Sequence, residues 1–226
     1  MTTAIAVADV AGLVQDEVVY YTSGQAGLMT TTIQDAEFAV MDVFVDFSGL
    51  NTVGADNADS ILRNLFGVNI NASGFEQFVH NDVSATGSWN PAASIDLPQA
   101  GALPQIDSFV TINDGLGQTA LDPGFGMGLP LDVFNEDIGW YLVPPSDLGA
   151  ADDGLKVWIG RFVVTGDEAR AGAYFDISGT VGYDYGAGTG VHYGDFTESL
   201  TFVPVPGTLG VLVAGGFLNV RRRRRI

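Results

Sequence analysis

Phe38–Phe47 reads FAVMDVFVDF, and its alternation decides the fold. Ala39, Met41, Val43, Val45 and Phe47 share one face of an extended chain, with Asp42 and Asp46 on the other. Successive side chains of a strand point to opposite sides, so this pattern predicts a half-buried β-strand. Runs of similar character follow at Val18–Tyr21, Leu62–Ile70, Phe75–Val79, Phe109–Ile112, Trp140–Val143, Val157–Val164, Tyr174–Tyr183 and Phe196–Val203. In Tyr174–Tyr183, Phe175, Ile177 and Val181 alternate with Asp176, Ser178 and Thr180. Turn signals such as Asn113-Asp114-Gly115 and Asp122-Pro123-Gly124 separate the runs.

Helical spacing is confined to two short stretches, Thr165–Ala171 and Asp56–Asn64. Many short strands with Gly and Pro turns predict an all-β fold, an antiparallel β-sandwich of jelly-roll or immunoglobulin/cohesin-like type. Packing two sheets face to face is expected to bury Phe44, Phe66, Phe109, Trp158, Phe162 and Phe175. Leu116–Pro145 reads as a long loop rich in Gly, Pro and Asp.

The 226 residues suffice for one sizeable domain. No cysteine occurs, which excludes disulfides, thiolate metal sites and cysteine nucleophiles. The net charge of −18 conceals an asymmetry. Five of the nine basic residues are Arg221–Arg225, which leaves Arg63, Lys156, Arg161 and Arg170 against 27 acids, a body charge of −23. Such a surface repels nucleic acid, whose binding depends on neutralising phosphates. It attracts cations and favours solubility.

The motifs of catalysis are sparse. His80 and His192 are the only histidines, and neither lies in a nucleophile elbow. His80 reads as part of a polar turn and His192 as a hairpin tip. Glu37, Glu76, Glu136, Glu168 and Glu198 include no recognisable glycosidase pair. Gly186–Gly190 lacks the lysine of a phosphate loop. Asp56 and Asp59, and again Asp152 and Asp153, cluster oxygens suited to calcium, although the same pattern serves as a solvated acidic turn. Trp89, Trp140 and Tyr141, with Tyr183, Tyr185 and Tyr193, are candidates for stacking on a glycan. A row of exposed rings would favour that use over a core role.

Phe202–Ile226 reads FVPVPGTLGVLVAGGFLNVRRRRRI. Its uncharged run 207–220 spans about 21 Å as a helix, short of the roughly 30 Å hydrocarbon core of a bilayer. Flanking apolar residues and snorkelling arginine stems would extend it, with the arginines on the cytoplasmic side. The order Pro204-Val205-Pro206, apolar helix, then Arg221, Arg222, Arg223, Arg224 and Arg225 resembles the PEP-CTERM sorting signal of exported bacterial proteins. Val205 stands where that family usually has glutamate, so the tail reads either as a processed signal or as an anchor. The resemblance implies recognition by an exosortase-type membrane protease or transpeptidase. It further implies transient anchoring in the inner membrane, then delivery to the cell surface or an exopolysaccharide matrix. Asp107–Pro123, with Gly139-Trp140, also resembles blocks of uncharacterised exported proteins bearing such tails, which implies a shared β-sandwich body and no particular activity.

Three segments result. Residues 1–14 read as the remnant of a signal peptide, with A-x-A patterns at Ala4–Ala6 and Ala6–Ala8, or as a first strand. Residues 15–201 form the acidic sandwich, and 202–226 the sorting tail with its short hydrophobic helix. The expected role is that of an exported surface or matrix protein without turnover. The alternatives are a carbohydrate-binding module for exopolysaccharide or an external glycan, and a cation-dependent hydrolase. An exposed aromatic platform points to the first alternative, and a cleft with facing carboxylates or a histidine–acid pair to the second.

Overall fold

A computed structural model describes residues 12–21, 29–30, 37–48, 60–79, 89, 106–113, 119–121, 137–143, 147–184 and 190–202. These residues form two antiparallel sheets packed as a sandwich. The first sheet is built around β4 (Phe38–Asp46). β1 (Leu13–Gln15) and β2 (Val19–Tyr21) pair with successive parts of β4, and β3 (Met29–Thr30) lies outside β2. On the other side of β4 come β9 (Lys156–Thr165) and then β6 (Phe109–Val110). The second sheet runs in the order β11 (His192–Thr201), β10 (Tyr174–Asp184), β5 (Ile61–Ser73), β8 (Ile138–Leu142), β7 (Thr119–Leu121). α1 (Gly166–Arg170) carries the chain from β9 toward β10. Thr165 and Glu168 close its capping box, as the T-x-x-E spacing requires.

Ala39, Met41, Val43, Val45 and Phe47 are all sealed in the core, as their alternation predicts. The sheets meet through aromatic rings. Phe162 of β9 lies 5.0 Å from Phe175 of β10, and Phe47 lies 5.5 Å from Tyr183. Phe78 contacts Phe75, Trp89, Phe162 and Phe175 at the centre of this cluster.

Two strands break strict alternation, and both do so to keep apolar groups inward. In β9 the inward residues are Val157 and Ile159, then Phe162 and Val164. The parity changes where the register to β4 slips between Val43 and Phe44, which inserts one extra residue at Ile159-Gly160. In β5 the inward residues are Leu62, Leu65, Val68 and Ile70. Register shifts against β10 place extra residues near Arg63 and at Gly67-Val68. Gly67 has φ of +59°, a left-handed conformation that glycine adopts readily.

These bulges correct several expectations. The three-residue spacing of Leu62, Leu65 and Val68 imitates a helix, yet residues 61–64 open β5; positions 56–59 lie outside the described residues. Phe66 is thrown to the outer face, while Phe44 and Trp158 pair across the outer face of the first sheet and are half-buried. Phe109, Phe162 and Phe175 are buried as expected. Phe75–Val79 is not a strand. Gly74, at φ +82°, turns the chain out of β5, and the next rings drop into the core. Val79 N–H then bonds to Val163 C=O at 2.8 Å. The region read as one loop, 116–145, contains β7 and β8. At the N-terminal end, Leu13 and Val14 belong to β1, while residues 1–11 lie outside the described set.

Replacing Gly67 with valine is predicted to cost about 1–2 kcal/mol through backbone strain alone, since a Cβ there meets no atom within 4 Å. Urea unfolding should show a lower midpoint with an unchanged slope. An unaltered midpoint would contradict the assigned bulge.

Candidate functional site

The outer face of the second sheet carries four large exposed side chains, of which Tyr174 stands apart at the start of β10 and three gather toward the other end. Phe66 is 41% exposed, Tyr141 45% and Tyr193 54%. Pairing places them in two adjacent rows. Tyr141 on β8 is opposite Asn64 on β5, which is opposite Gly182 on β10, which is opposite Tyr193 on β11. The two tyrosines thus stand at the ends of a four-strand row spanning about 14 Å at roughly 4.8 Å per strand. Between them Gly182 is buried, covered by the Asn64 amide and the edge of the Tyr193 ring. A Cβ at Gly182 would lie 2.1 Å from Asn64 Oδ1, so only glycine allows Asn64 to lie flat there.

The neighbouring row holds Phe66, Thr180 and Asp195. Phe66 meets the Tyr193 ring edge-on, with centroids 5.8 Å apart at 85°. Each pair of this kind contributes about 0.5–1.5 kcal/mol and fixes ring orientation. The acids of this face are engaged within it. Arg63 Nε donates to Asp184 Oδ2 at 2.7 Å, Thr180 Oγ1 to Asp195 Oδ1 at 2.7 Å, and Ser199 Oγ to Asp176 Oδ1.

Of the six rings nominated from sequence, Tyr141 and Tyr193 are on this face. Trp89 and Trp140 are corrected: they are 2% and 0% exposed and have no ring face to offer a sugar. Trp140 points inward opposite Leu65, and its indole N–H bonds to Thr111 C=O at 3.0 Å. Tyr183 is buried as well, and Tyr185 lies outside the described residues. Tyr193 could be found from the alternation of β11, since Phe196 and Leu200 face inward and put 193, 195 and 197 outward. Phe66 could not, because its direction depends on the bulge at Gly67.

Asp152 Oδ1 accepts the N–H groups of Gly154 and Lys156 at 2.9 and 2.8 Å, which closes the turn into β9. Asp153 is exposed beside it, and Asp56 and Asp59 lie outside the described residues. Among the described residues no three His, Cys, Asp or Glu side chains are grouped to hold a metal ion. His192 opens β11 and its ring lies 5.9 Å from that of Tyr183. His80 lies outside the described residues.

All four cations of the body are engaged in ion pairs: Arg63 with Asp184, Lys156 with Asp16, Arg161 with Asp42, and Arg170 with Asp167. Arg161 binds Asp42 with two bonds of 2.8 and 2.7 Å, and Phe109 and Trp158 flank its guanidinium at 5.7 and 5.6 Å. Burial alone would lower its pKa, but Asp42, helped by Tyr21 and Asp107, raises it above the ordinary value.

The sorting tail, with Pro204, Val205, Pro206 and Arg221–Arg225, lies outside the described residues. Among those described, no helix is long and apolar enough to cross a membrane. Phe202, assigned to the tail on sequence, is buried in the core against Phe75 and Phe175. Its N–H bonds to Ala173 C=O at 3.0 Å, and its C=O accepts from the buried Tyr20 hydroxyl at 2.7 Å. Phe202 is thus held in the core by both its ring and its backbone.

Neither a family model nor a curated protein nor a solved structure matches this chain.

Burial raises the Tyr20 pKa to about 12, with the Arg170 charge opposing. The unfolded chain ionises near 10, so the fold favours the neutral phenol. Its contribution is complete below pH about 10 and is lost as pH rises toward about 12. Tyr20→Phe should cost about 1 kcal/mol at neutral pH by removing the bond to Phe202. Thermal melting should show a shallower loss of stability for the variant than for the parent between pH 10 and 12. Parallel curves would contradict the clasp.

Proposed function

We propose that this chain is an exported surface or matrix protein whose body acts by binding, without turnover, and whose C-terminal segment directs its sorting. The junction at Phe202 carries the reading. The PEP-CTERM-like order of residues begins two positions after Phe202, a described core side chain. Processing beyond Phe202 would leave every described core residue in place. The charge distribution supports the same division. Five consecutive arginines lie in the tail, and the body's four cations are committed to ion pairs within an envelope of acids. A basic cluster behind an apolar run favours retention on the cytoplasmic side, with the acidic body beyond the membrane.

Fractionation of a Gram-negative host with its own exosortase tests this. The full chain should appear in the envelope or medium fraction, and a chain ending at Phe202 should lose its membrane-associated intermediate. An identical soluble cytoplasmic distribution for both forms would overturn the proposal.

A further inference from the structure

We infer that the outer face of the second sheet is a binding site for a neutral glycan, seated across β8, β5, β10 and β11 between Tyr141 and Tyr193. The inference does not depend on export. It starts from the three exposed rings, which together form the largest exposed aromatic grouping among the described residues.

Exposed tyrosine and phenylalanine are costly to leave in water unless covered by a partner. Here they are not scattered. The bulge at Gly67 turns Phe66 outward, the register puts Tyr141 and Tyr193 in one row, and Gly182 leaves room for the Asn64 amide and the Tyr193 ring to lie against the sheet. The result is a low surface with a tyrosine at each end and the Asn64 amide between them. Phe66, perpendicular to Tyr193, adds a second ring at one end. Apolar ring faces together with hydroxyl edges suit a pyranose, which has apolar C–H faces and a rim of hydroxyls. Tyrosine supplies both in one side chain.

Charge selects among occupants. The body carries −23, and the one cation on this face, Arg63, is tied to Asp184. A uronic or sulfated polysaccharide, a nucleic acid or an anionic lipid surface would meet repulsion with no free cation to offset it. A second copy of the chain would bring the same charge to the contact. A basic ligand would be drawn to Asp176 and Asp195, which keep their charge beside hydroxyl donors, so a cationic polymer enters the test as that alternative. The rings, with their hydroxyl edges, match an uncharged polyhydroxylated ligand.

Native affinity electrophoresis of the full chain in mild detergent tests the site. The gels would contain hydroxyethyl cellulose, xyloglucan, galactomannan, dextran, chitosan oligomers or polygalacturonate. At least one of the four neutral polysaccharides should retard the chain. Tyr193→Ala and Tyr141→Ala should each weaken that retardation about tenfold or more, the scale of losing a central aromatic contact. Tyr141→Ala should melt within a degree or two of the parent, and Tyr193→Ala, which loses the edge contact with Phe66, within about five degrees, so both stay folded at the assay temperature. Tyr174→Ala, on the same face but about 26 Å along β10 at roughly 3.3 Å per residue, should bind as the parent does. Retardation by none of the neutral polymers would overturn the inference. So would retardation by chitosan or polygalacturonate alone, or retardation unchanged by the two tyrosine substitutions.

Discussion

Which side of each strand faces inward is the constraint on which this structure depends. A sandwich has a single apolar seam, and a one-residue change of parity sends a whole strand's apolar set into water. In β4 the alternation meets that demand unaided. In β5 and β9 it does not, and the chain inserts single residues at Gly67-Val68, near Arg63 and at Ile159-Gly160. With these insertions Leu62, Leu65, Val68, Ile70, Val157, Ile159, Phe162 and Val164 all enter one core. Without the insertion at Gly67, Phe66 would take an inward place.

The same device sorts the aromatic rings. Aromatic side chains that hold the sheets together, Phe162, Phe175, Phe78, Trp140 and Phe202, are sealed inside. Those that alternation and bulging leave outside gather on one face. Electrostatics reinforces the division. With four cations paired and 27 acids in the body, the surface resists other polyanions and its own copies. The arginine-flanked rings of the first sheet are structural, since Arg161 is held by Asp42 between Phe109 and Trp158.

Much of this fold is legible in the amino-acid order. Phe38–Phe47, Val157–Val164 and Tyr174–Tyr183 are strands where their patterns put them, and Thr165–Ala171 contains the one described helix. Phe75–Val79 misleads because apolar residues that fill a core from a turn look like those of a strand. The short β1, β3 and β7 carry too few residues to show a period. The outer aromatic face is legible only in part. Tyr141 and Tyr193 follow from alternation, whereas Phe66 depends on a left-handed glycine whose effect is known only once the register is known. Trp89 and Trp140 look like sugar-stacking residues by type alone, and burial removes them from that role.

The division between inner and outer rings is open to direct measurement by photochemically induced nuclear polarisation, which enhances proton signals of solvent-accessible tyrosine and tryptophan side chains. With signals assigned by single Tyr→Phe and Trp→Phe substitutions, Tyr141 and Tyr193 should be strongly polarised, and Trp89, Trp140 and Tyr20 should give no enhancement. Polarised Trp140 with silent Tyr193 would mean that β8 and β11 face the other way, and would contradict the account.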